Sequence, residues 1–110
     1  MTINIPHHKT QQEVVDLIDK GVDHLLAKGA AGVEIVDPKK SWAKDGSGSD
    51  VMTFSVTGKM GFMKVPLSGS VTVTPSEVVV VCELPAMVKN FLGEAKVRSG
   101  VEGQIKGLLA

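Results

Sequence analysis

The alternation of apolar side chains between Val51 and Leu84 constrains this chain more than any other feature. Met52, Phe54 and Val56, then Val65 and Leu67, then Val71 and Val73, and finally Val78 to Cys82 recur at strand spacing, with glycine or proline at the reversals. The pattern predicts an antiparallel meander, with Gly58 to Gly61 and Leu67 to Gly69 as candidate turns or bends. Val78 to Cys82 is apolar at both parities, which suits a central strand covered on both faces, or one whose second face meets a partner.

Helical signals flank this core. Ile3 and Ile5 share one side of a short extended segment that Pro6 ends by removing a donor. Thr10 stands three residues before Glu13, a capping box, and Val14, Val15, Leu17, Ile18, Val22, Leu25 and Leu26 then cover one half of a cylinder. Gly29 and Gly32 suit its end. Val33 and Ile35 begin a second extended segment, interrupted at Asp37-Pro38 and resuming around Trp42, before a loop from Asp45 to Asp50. Leu84-Pro85 opens a last helix with Leu84, Val88, Phe91, Leu92 and Ala95 on one side.

Carried on without a break, helical spacing puts Val97, Val101, Ile105 and Leu108 about a quarter turn or more away from that side. Two halves so rotated cannot face one flat surface, and a kink or restart near Arg98 to Gly100, where Ser99 and Glu102 form a second capping box, would explain the rotation. Gly100, Gly103 and Gly107 each cost about 1 kcal/mol relative to alanine in a helix. Either a close backbone neighbour or a fraying end accounts for them.

The expected fold is therefore one α+β domain spanning residues 1–110. An antiparallel β-meander sheet packs against an N-terminal helix and a long C-terminal helix, in the order strand, helix, a run of four strands, helix. A chain of 110 residues can bury roughly two thirds of its unfolded surface without disulfides or metal. Its 12 basic and 12 acidic residues balance, so no global field draws in nucleic acid. No segment approaches the roughly 20 apolar residues of a transmembrane span, and no secretory signal is legible, which places the chain in the cytoplasm.

Candidate chemistry is sparse, and neither cofactor nor metal is expected. Adjacent His7 and His8 point in opposite directions in an extended segment, and His24 sits at the border of its helix face, so solvated histidines are the default over a metal or acid–base role. Asp45-Gly46-Ser47-Gly48-Ser49-Asp50 lacks the ligand spacing of a calcium loop and the pattern of a phosphate loop, and reads as a solvated turn. Cys82, the only cysteine, falls in the valine run and reads as a buried small hydrophobe. Trp42, Phe54, Phe62, Phe91 and the methionines Met52, Met60, Met63 and Met87 either form ordinary core or line an apolar pocket where the last helix diverges from a curved sheet.

Several landmarks resemble a family of small bacterial proteins, the polyhydroxyalkanoic acid system proteins, found near polyester granule genes. They are the isoleucine strand followed by His7 or His8, the capped helix from Thr10, Trp42 before the meander, the glycine-punctuated run from Phe54 to Gly69, and the start of the last helix at Leu84. The likeness covers nearly the whole chain, which differs in its serine–glycine-rich stretch after Trp42 and its glycine-rich final helix. It implies association with polyhydroxyalkanoate metabolism or granules, with a granule surface or granule protein as partner, and brings no catalytic residues. The element order also looks like a reduced helix-grip arrangement, as used by lipid-binding domains.

Two expectations follow. The first is a non-enzymatic accessory protein, a homodimer that uses the rotated stripe Val97, Val101, Ile105, Leu108 and Leu109 against an apolar surface or partner. The alternative is a small carrier that holds a lipid-like or acyl ligand among Trp42, Phe54, Phe62, Met63, Met87 and Phe91. An enzyme is the third class, carried only by the presence of histidines and carboxylates.

Overall fold

Ile3 and Ile5 enter a strand whose partner is the valine run, and that pairing closes the sheet. The computed structural model describes residues 1–28, 34–83 and 93–110. Along the chain stand β1 (Thr2–Pro6), α1 (Gln11–Lys28), β2 (Glu34–Lys44), β3 (Asp50–Met60), β4 (Met63–Val73), β5 (Glu77–Glu83) and α2 (Glu94–Leu109). The five strands form one antiparallel sheet in the order β1-β5-β4-β3-β2. The valine strand thus lies inside the sheet, between β1 and β4, but the expected cover on both faces is not seen among the described residues: Val78 and Val80 are buried and Val81 on the other face is 38% exposed.

Register decides which side chains meet. Ile3 pairs with Val80, Val80 with Val71 and Val71 with Met52, while Ile5 pairs with Val78 and Val78 with Val73. Paired residues share a face, and this face joins Val14 and Ile18 of α1 and Ile105 of α2 in one buried cluster. Both helices therefore cover the same side of the sheet. Fully burying a side chain such as Ile18 contributes about 1.5 to 3 kcal/mol. The opposite side carries Thr2, Val81, Ser70, Thr53 and Ser41 in one row and Asn4, Val79, Thr72, Val51 and Ala43 in the next.

The cap of α1 forms with a variation. The Thr10 hydroxyl oxygen accepts from the Glu13 amide at 3.2 Å, and the same hydroxyl donates to the Glu13 carboxylate at 3.0 Å. Three expectations are corrected. Asp37-Pro38 does not interrupt the second extended segment: β2 runs through it as a bulge between Val36 and Lys39, with Asp37 at a φ of 50°. Leu67 to Gly69 is no turn, since β4 passes straight through it; the chain reverses at Thr74–Ser76, where the Thr74 amide donates to the Glu77 carbonyl at 2.9 Å. The last helix has no kink at Ser99. It begins after Gly93, whose φ of 82° lies outside the helical region, and runs unbroken to Leu109. The expected helix end at Gly29 and Gly32 and the start at Leu84-Pro85 lie outside the described residues.

Both edges of the sheet resist strand addition. Edge strand β2 carries Pro38, Lys39, Lys40 and Lys44 together with its bulge, and β1 is only 5 residues long and ends on Pro6. Bulges, lysines and proline at edges discourage pairing with another chain.

Candidate functional site

The β3–β4 hairpin ends in a short apolar tip. Its arms are 11 residues each, and their register runs to Lys59 opposite Lys64 and Met60 opposite Met63. Gly61 and Phe62 make the reversal; glycine at the first central position with a φ of 61° meets the requirement of a type II′ turn. Phe62 is 96% exposed. A fully exposed phenylalanine at the end of a two-residue turn forgoes the burial that would stabilise it and is free to meet another surface.

This arrangement corrects the pocket expectation for Phe62, which points to water. Trp42 and Phe54 are half-buried against the core cluster, Met63 is half-buried beside the turn, and Met87 and Phe91 lie outside the described residues. Between the end of α1 and the β2 bulge lies an open depression of about 550 Å³ lined by Asp23, Ala27, Pro38, Lys39 and Lys40. None of the residues expected to line an apolar pocket borders it.

The terminal stripe is not exposed as expected. Ile105 is 7% exposed and belongs to the core, and Val101, Leu108 and Leu109 pack against it. Leu108 seats on Gly21 of α1, where an added Cβ would lie 2.6 Å from its Cδ2. Val97 lies on α2, and its side chain is outside the described part. Arg98 fastens the helix from above, donating to the Thr2 carbonyl at 3.0 Å.

The polar candidates are engaged in structural bonds. His7 is 6% exposed; the Lys9 amide donates to its Nδ1 at 3.1 Å, so the proton sits on Nε2, which donates to the Thr74 carbonyl at 2.8 Å. Both ring nitrogens are thereby used to tie the start of α1 to the β4–β5 turn. His8 and His24 are exposed. The Asp45 carboxylate accepts from the Ser47 hydroxyl and amide and from the Ser49 amide at 2.8 to 3.0 Å, closing its own turn, and these bonds, that of the Ser47 hydroxyl first, hold its carboxyl below the ordinary value. Burial pushes the Cys82 thiol up, away from thiolate chemistry. Among the described residues no group of three or more histidine, cysteine or acidic side chains gathers as a metal site, and no helix is long and apolar enough to cross a membrane.

One cluster escaped the sequence reading. Lys40 of β2 bridges Asp19 and Asp23 of α1, and the Trp42 indole donates to Asp19 at 2.8 Å. The signal was present as two aspartates one helical turn apart, but nothing local says which strand lies opposite. The Lys40 hydrogen bond, with that of Trp42, lowers the Asp19 carboxyl below 3.8. Burial works against the Lys40 charge, yet its bonds to Asp19 and Asp23 outweigh it and raise the ammonium above 10.5. Asp50 is lowered by Gln11 and then Lys44.

Depressed carboxyls stabilise the fold above their unfolded values and lose that contribution as pH falls through the folded ones. A raised ammonium contributes below its unfolded value and loses it as pH rises past the folded one. Melting temperature should therefore be level with respect to these groups between 3.8 and 10.5 and fall outside that window. The exposure of Asp19 limits its share to about 1 kcal/mol or less. Thermal melts across pH of the wild type and Asp19→Asn check this: the acid-side drop should shrink in the variant, and an unchanged drop would remove the clamp from the account.

Compared with known protein families, curated proteins and solved structures, the chain matches none.

Proposed function

We propose that this chain is a non-enzymatic accessory protein of polyhydroxyalkanoate metabolism that attaches to an apolar surface through the β3–β4 tip. The observation that carries this reading is the exposure of Phe62, 96%, at the end of a hairpin. The polyester context rests on the sequence resemblance. Support for a role outside catalysis comes from the engagement of His7, Asp19 and Asp45 in bonds that hold elements together. In this reading the protein works in the cytoplasm, and as a homodimer it presents two tips, whose joint attachment exceeds that of either alone. Val81, 38% exposed on the outer side of a strand inside the sheet, offers the second copy an apolar foothold.

Co-sedimentation of tag-free protein with polyhydroxyalkanoate granules tests the proposal. The wild type should pellet with granules, and Phe62→Ser should stay in the supernatant while melting at the wild-type temperature. Equal sedimentation of the two would sink the assignment of the tip.

A carrier is the second reading, favoured by one observation. β1 lies beside β5 and the described helices share one face of the sheet, which is compatible with the reduced helix-grip analogy that the element order suggests. An acyl chain would then lie between sheet and helices. Native mass spectrometry of protein taken from its host should reveal the added mass, and an empty chain throughout would retire this alternative.

A further inference from the structure

We infer that the β3–β4 tip docks on an anionic lipid interface, an inference that rests on the surface-binding reading and names its partner. The stretch Lys59-Met60-Gly61-Phe62-Met63-Lys64 places a cation on each arm around an apolar turn. Lys59 and Lys64 are directly opposite in register, so both stand on the same face and at the same level of the hairpin. Like charges so placed repel each other. Glu34 is the cross-strand neighbour of Lys59 on the other side. The ion pairs among the described residues join Lys40 to Asp19 and Asp23, and Lys44 to Asp50, and leave both tip lysines out. Lys59 thus has Glu34 across from it without an ion pair, and Lys64 has no acidic partner among the described residues.

An anionic lipid surface supplies that partner and fits the dimensions. At about 3.4 Å per strand residue, Phe62 lies roughly 7 Å beyond the level of the two lysines. Apolar groups of interfacial elements sit about 5 to 10 Å into the boundary between headgroups and acyl chains. Lysine stems reach back to the phosphates from that depth. A protein partner fits less well: stable protein interfaces bury about 800 Å² on each side, far more than one turn offers.

Near an anionic leaflet each lysine strengthens partitioning about fivefold. Insertion of Phe62 adds roughly tenfold or more. Their product describes a weak, reversible contact, to be read at millimolar lipid.

Sedimentation with phosphatidylcholine vesicles, with and without phosphatidylglycerol, tests the inference on the full chain. The wild type should pellet with the mixed vesicles, much less with pure phosphatidylcholine, and less as salt is raised. Phe62→Ser should lose about tenfold, and Lys59→Gln with Lys64→Gln should bring binding to the mixed vesicles down to the phosphatidylcholine level. Unchanged thermal melts of these variants show that the fold is kept. Wild type that ignores anionic vesicles yet pellets with polyester granules overturns the lipid partner and leaves the surface reading standing. Failure on both surfaces overturns both, as does vesicle binding that Phe62→Ser does not weaken.

Discussion

Gly69→Val lowers the unfolding free energy by about 3 kcal/mol or more, and Gly69→Ala by about 2 kcal/mol, as overpacking against an unyielding neighbour does. At roughly 4 °C per kcal/mol for a domain near this size, the alanine variant melts about 8 °C below the wild type. Gly69 is the position on β4 where Phe54 of β3 and Cys82 of β5 flank the same row. A Cβ there would press on the Val81 carbonyl oxygen inside van der Waals distance, and would lie 2.8 Å from Phe54 Cζ and 3.1 Å from Cys82 Cα. The phenyl ring can turn away. The carbonyl cannot, because β5 is held between β1 and β4. Pairing Gly69→Ala with Phe54→Ala separates the two contacts: the ring is gone, the carbonyl remains, and the strain at Gly69 should persist. If Gly69→Ala melts with the wild type, the close approach is not a constraint of the fold.

This glycine shows how the sequence can be legible in kind and misleading in place. The alternation of the valine-rich half gave the strands and their inward faces, because a period of two follows from the pleat alone. Glycine within it has two meanings, a turn or a close approach, and only the neighbouring strands decide. At Gly69 the neighbours are Phe54 and Val81, so the glycine marks contact; at Gly61 nothing lies within 4 Å of an added Cβ and the glycine makes the turn. Narrowing the reversal from the range Gly58 to Gly61 to the pair Gly61-Phe62 has a functional consequence. It moves Phe62 from an imagined pocket wall to the exposed end of the hairpin. The Gly61-Phe62 pair between two methionines was the available signal, a two-residue turn with glycine first.

The Lys40 clamp was illegible for a different reason. Asp19 and Asp23 lie on the exposed half of α1 by periodicity, and a helix packed on a sheet at an angle brings part of that half over the β2 edge. Pairing across 21 residues depends on that angle, which no local pattern encodes. His7 is similar: its burial comes from the β4–β5 turn, whose Thr74 carbonyl lies 67 residues away.

Ile105→Ala costs about 2 to 5 kcal/mol, the range for truncating a buried isoleucine, and the loss appears in the monomer's own melting curve. The stripe of Val101, Ile105 and Leu108 cannot share a flat sheet with a helix side that starts at Leu84, if that helix is continuous. The structure removes both premises. α2 starts after Gly93, and it does not lie on a sheet alone: it touches both β1 and α1. A helix wedged between a sheet and a second helix buries a wider arc than a flat surface allows, so Ile105 reaches Val80's cluster while Leu108 settles on Gly21. Truncating the segment would unfold the domain and say nothing about a partner; single substitutions separate the readings. If the stripe is core, Ile105→Ala melts early, and light scattering gives the wild-type mass below the transition. A variant that keeps its stability but loses a subunit of mass would return the stripe to the role of a partner contact. The tip experiments stand apart from this outcome, since Ile105 shares its cluster with Met52, Val71 and Val73 at the base of the β3–β4 hairpin, whereas Phe62 and the Lys59–Lys64 pair are at its other end.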